Sequence, residues 1–144
     1  MKFLGHPIHV MLIHFPSALF PMDLVCYFLY YYYGNASFAE ASFYAMAGGV
    51  ILGWTSALFG ALDLSGISVK NEVVMKKALI HGGINASVVI VYTVLACSAY
   101  KKYPVMAEAS LALLLVKFFT VSFMIVGNYI GGSLILKHKV AIEE

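Results

Sequence analysis

Arginine is absent from this chain: all nine basic residues are lysine. Without a guanidinium fork, bidentate recognition of phosphate is not available, and a net charge of +2 gives no reason to expect nucleic acid as a partner. Charge of any sign is scarce, at 11% of residues. A soluble domain carries about 25%, and this sequence has too little polar surface to cover a core facing water. Cysteine is limited to Cys26 and Cys97, both inside apolar runs. No C-x-x-C or C-x-x-C-H occurs, so the motifs of thioredoxin chemistry and covalent c-type haem are missing; two small buried hydrophobes are the simpler reading. No G-x-S-x-G or H-E-x-x-H occurs either, and a hydrolase is the least favoured class.

Apolar sequence is what remains. Hydrophobic residues make up 62% of the 144. They fall into four runs, roughly 8–33, 39–63, 76–100 and 105–136, each of the ~20 residues or more that a bilayer-spanning helix needs. The expected fold is all-α: one integral membrane four-helix bundle with short loops and both termini on the same side. Pro7 suits a first helical turn, Pro16 and Pro21 should kink span one, and Pro104 should open span four. Histidines and prolines interrupt the first run, unlike a signal peptide's apolar core, so 8–33 is expected to be a retained helix.

We denote the N-terminal side face A and the other face B. Lys2, Lys70, Lys76, Lys77, Lys137 and Lys139 fall on face A, and Lys101 and Lys102 on face B. That bias predicts that face A, with both ends of the chain, is cytoplasmic. Tyrosines gather oppositely: Tyr30 to Tyr33, Tyr44, Tyr100 and Tyr103 form an interfacial belt at face B. Small residues recur at every fourth position in Gly49, Gly53, Ala57 and Ala61, in Gly83 and Ser87, and in Gly127 and Gly131. Such stripes let helices approach closely, within one bundle or across a homodimer.

Against this background the polar residues stand out. All five histidines, His6, His9, His14, His81 and His138, map to face A. A lone interfacial histidine is usually solvated or hydrogen-bonded, but five at one level suggest a site. His6 and His9 share a helix face; His14 lies about 140° around from His9 at ~100° per residue. Two imidazoles from different helices could fill the axial positions of a b-type haem. His14 and His81, the most deeply placed, are the preferred pair, with His6 and His9 next. Alternatively three or more of His14, His81, His9, His6 and His138 could hold zinc, copper or non-haem iron. Asp63 and Asn85 are candidates to orient the rings. Deeper in the bilayer, Asp23 lies ~21 Å and Lys117 ~28 Å along their helices from face A. A charge buried in lipid needs a partner, and these two are expected to pair. Asn128 is expected to hydrogen-bond between helices.

The stretch Gly5-His6-Pro7-Ile8-His9, followed by Leu12-Ile13-His14-Phe15-Pro16, resembles the bacterial DUF2231 family of four-helix membrane proteins, whose members typically begin G-H-P-x-H-P-x-L-V-H-F-P. Asp23, Gly60-Ala61-Leu62-Asp63, His81 with Asn85, and Gly131-Gly132-Ser133-Leu134 leading to His138 extend the resemblance over nearly the whole chain. Val10 departs from it, standing where the family often has a second proline. The resemblance implies a fold but no activity. Some relatives carry cytochrome-like or Rieske-type modules, which implies a redox partner of that kind. The resulting expectation is a haem-binding electron-transfer protein, or a subunit of a respiratory complex. A non-haem metal-binding or transport protein and a structural or assembly subunit are the alternatives.

Overall fold

The structure is a computed structural model that describes residues 2–3, 6–65, 72–105 and 108–138, with side chains from residue 8 to residue 136. A two-residue antiparallel pairing, β1 (Lys2–Phe3) with β2 (His6–Pro7), precedes the helices. Helices α1 (Ile8–Leu12) and α2 (His14–Tyr33) together form the first span. They are followed by α3 (Ala36–Ser65), α4 (Glu72–Tyr100) and α5 (Leu111–His138). All four spans are long and apolar enough to cross a membrane.

Local chemistry explains the boundaries. Pro16 lacks the N–H that would bond the carbonyl of Leu12, and its ring crowds that carbonyl; α1 ends at Leu12. Ile13 keeps a helical conformation (φ −64°, ψ −20°), so the interruption is a local loosening within one span. Gly34 stops α2 in the left-handed region (φ 67°), its N–H bonding the Tyr30 carbonyl at 2.9 Å. Asn35 caps α3 by accepting the Ser37 N–H at 2.9 Å. The fourth span starts later than Pro104 suggested. Residues 101–105 form a turn, and Ser110 caps α5 by accepting the Leu113 N–H at 3.2 Å. The phenol of Tyr27 on α2 accepts the Ser110 N–H at 3.0 Å and fixes that cap against the bundle.

Along the spans the outside of the bundle is largely apolar and two charges lie inside, the reverse of a soluble protein. Phe119, Tyr129 and Leu136 are 65%, 79% and 83% exposed, while Asp23 and Lys117 are 0% and 1% exposed. Water would not tolerate so continuous an apolar exterior; lipid does. At the centre, Phe20 of α2 and Tyr92 of α4 stack face to face, with centroids 3.9 Å apart and planes at 3°. Gly49 makes room for them, since a Cβ there would lie 2.5 Å from the Phe20 ring. Two other stripe glycines serve similar contacts within the chain, while Gly83 has nothing within 4 Å. Gly53 lies against Val89, and Gly127 against Ile84 and Asn85.

Candidate functional site

The structure brings His9 and His81 together. Their rings, from α1 and α4, stand edge to face with centroids 6.2 Å apart and planes at 75°. Both line a cavity of about 340 Å³ whose other polar contributors are Ser17, Ser56, Asp63 and Asn85. Much of the remaining wall is small, including Gly53, Ala57, Gly82 and Ala86.

Each ring is fixed in the same way. The Nδ1–H of His9 donates to the Ser56 carbonyl at 2.8 Å, with the Ser56 hydroxyl 3.2 Å away. The Nδ1–H of His81 donates to the Gly127 carbonyl at 2.8 Å. A carbonyl only accepts, so Nδ1 carries the proton in both rings. In the neutral imidazole this leaves the Nε2 lone pair for a ligand. Each ring also lies on a glycine one helical turn beyond the carbonyl it bonds. A Cβ on Gly60 would fall 2.9 Å from the His9 ring, and a Cβ on Gly131 would overlap the His81 ring.

These parts repeat. His9 reaches across 47 residues to its carbonyl and His81 across 46. The interval from His9 to His81 equals that from Phe20 to Tyr92, half the chain's 144 residues. The bundle is therefore two helical hairpins of like construction. Each supplies one imidazole and one stacked ring, and like residues meet at the junction between the hairpins.

The anticipated pair of His14 and His81 is corrected by this geometry. His14 is exposed and does not line the cavity. The same turn of about 140° that separates it from His9 points it out of the bundle once His9 faces in. The side chains of His6 and His138 lie outside the described part of the structure. The orienting groups differ as well. Backbone carbonyls hold the rings, whereas Asn85 donates its amide to the His81 carbonyl oxygen at 3.1 Å and Asp63 contributes to the cavity wall. Sequence reasoning missed Ser56, Gly60, Gly127 and Gly131 as parts of the site. Their signal was available: two histidines half a chain apart, each followed about 50 residues later by a glycine that can underlie its ring.

Among the described residues no three of His, Cys, Asp and Glu come close enough to hold a metal ion. The described residues bring two imidazoles to the site. Elsewhere, Asn128 donates to the Ser17 hydroxyl at 3.0 Å, tying α5 to α2 beside the cavity. Asp23 and Lys117 meet at 2.5 Å near the other end of the bundle.

The sequence model of a family described as a predicted membrane protein, DUF2231, matches residues 5–144. The chain belongs to the DUF2231 family. No curated protein and no solved structure matches it. The DUF2231 match spans both hairpins, from the histidine-rich entry through His81 to the end of α5, so the paired imidazoles and their glycines all fall inside it.

Proposed function

We propose that this protein binds a b-type haem between His9 and His81 and transfers electrons in a bacterial inner membrane, with its histidine end in the cytoplasm. The observation that carries this reading is the ring pair itself. The two rings come from different helices, their centroids are 6.2 Å apart, and each gives its Nδ1–H to a backbone carbonyl, so the two Nε2 atoms would be the ones to hold a haem iron. A porphyrin brings four nitrogens of its own and asks the protein for two. Zinc, copper or non-haem iron asks for three or four, more than the two imidazoles that the described residues bring together.

When bound, the haem supplies one-electron redox chemistry. The chain's part is to position and to insulate. The Ser56 and Gly127 carbonyls hold both Nδ1–H groups and keep Nε2 basic. Gly60 and Gly131 let the rings lie close to α3 and α5. The largely apolar wall would keep water from a bound haem, which helps set its potential. Electrons would come from or pass to a membrane partner of cytochrome or Rieske type, as in a respiratory complex.

Purification from haem-supplemented cells tests the proposal. The expected result is a Soret band and a b-type reduced-minus-oxidised spectrum, both lost in His9→Ala and in His81→Ala and retained in His14→Ala. Colourless protein under those conditions, or a spectrum that survives both alanine variants, overturns it.

A further inference from the structure

A second cavity, of about 160 Å³, lies at the loop end and has no part in the haem reading. Tyr30, Ser98 and Lys102 line its outer part, and Ser42 and Lys117 form its floor. Lys102 belongs to the turn after α4, so the outer part sits at the end of the bundle. Ser42 and Lys117 each lie six residues into their helices, about 9 Å below that end at ~1.5 Å per residue.

The floor is unusually polar for a membrane interior. Lys117 Nζ donates to Asp23 Oδ1 at 2.5 Å and to the Ser42 hydroxyl at 3.3 Å, and stands 4.6 Å from the centre of the Tyr27 ring. The Ser42 hydroxyl donates to the same Asp23 oxygen. Asp23 Oδ2 is buried and has no hydrogen-bond partner among the described residues. A carboxylate oxygen left so is one that a proton or a water molecule would complete. At about 30 Å³ per water, the cavity has room for several. Beyond the pair the way is closed: Phe20 and Tyr92 stack between this region and the imidazole cavity, which Phe20 also lines.

We propose that Asp23 and Lys117 form a proton-exchange site that water reaches from the loop end. Asp23 does not itself line the cavity, so Ser42 relays: a proton carried by water passes to Ser42 Oγ as the Ser42 hydroxyl proton passes to Asp23 Oδ1. The hydronium O–H bond and the old Ser42 O–H bond break as a new Ser42 O–H bond and an Asp23 O–H bond form, and water is released. Asp23 becomes neutral while Lys117 keeps its charge, and the reverse step returns the proton to the same side. Cys26 and Tyr27 on α2, Tyr92 on α4, and Tyr30 and Lys102 at the outer end are the titratable groups facing the pair; α3 presents Ser42 and Met46. The Phe20–Tyr92 stack makes this a half-channel, so the protein exchanges protons without leaking them across the membrane.

Two measurements test the proposal, and neither needs haem. In a Cys26→Ala, Cys97→Ala background, Ala99→Cys, which lines the cavity, should react with a small water-soluble thiosulfonate at least tenfold faster than Val94→Cys on the lipid side of α4. Infrared difference spectra on acidification should show a protonated-carboxyl band that shifts in D2O. That band should be missing from Asp23→Asn paired with Lys117→Gln, a neutral double variant that keeps the hydrogen-bonding shape and should fold. Asp23→Glu should restore a displaced band. Equal thiol reactivities, or an unchanged band in the double variant, overturn the proposal.

Discussion

At the histidine end of this bundle, equivalent residues of the two hairpins meet: His9 with His81, each on a carbonyl and a glycine of its own hairpin. At the loop end the pairing is between unlike groups. The half-chain interval that takes Phe20 to Tyr92 takes Asp23 to Leu95, and the interval that takes Ser56 to Gly127 takes Lys117 back to Met46. Neither counterpart is charged. A repeated scaffold thus keeps its symmetry where the proposed haem would take two equal donors and loses it where opposite charges neutralise each other. Two like charges meeting on the same axis would repel in a low dielectric, whereas an acid and a base attract.

The sharpest way to break the comparison is to remove one imidazole. His9→Ala and His81→Ala should each abolish haem retention, read from the Soret absorbance per mole of protein, because one remaining ligand cannot hold both axial positions. If one variant retains full haem, the two hairpins are not equivalent. Next in size is the charged pair. Lys117→Ala or Asp23→Ala leaves a buried charge unpaired and should cost about 3–5 kcal/mol in detergent unfolding, whereas Asp23→Leu combined with Lys117→Met should unfold within about 1–2 kcal/mol of the parent. The glycine supports come third. Gly60→Leu and Gly131→Leu should push the rings aside and weaken haem binding at least tenfold, about 1.4 kcal/mol. Gly132→Ala, outside the cavity lining and with nothing within 4 Å, should leave binding unchanged. The smallest effect belongs to the Asn128–Ser17 bond. Asn128→Ala should lower stability by about 0.6 kcal/mol, the usual worth of one interhelical hydrogen bond in a membrane protein.

Much of the molecule was legible in one dimension. Composition and run length give four spans, because lipid offers no partner for backbone amides and forces every crossing segment into helix. The span limits follow from Gly34, Asn35 and Ser110 acting as local caps. Pro104 misled because a proline fit for a first helical turn is equally fit for a turn, and the cap at Ser110 is held by Tyr27 from another helix. Within the site, depth along a helix pointed to His14, but depth does not fix rotation. Which imidazole faces inward depends on which side of α1 and α2 meets α3, and the cluster of Phe20, Gly49 and Tyr92 decides that.

The sequence by itself determined the number of spans, the lipid-facing character of their outer surfaces and the gathering of histidines at one end, since each depends on composition and on even-numbered crossing. The tertiary structure alone decided that His9 rather than His14 joins His81 and that carbonyls of Ser56 and Gly127 hold the rings. Those are rotations and approaches between helices, and they are set by packing of side chains far apart in the chain rather than by any residue's own preference.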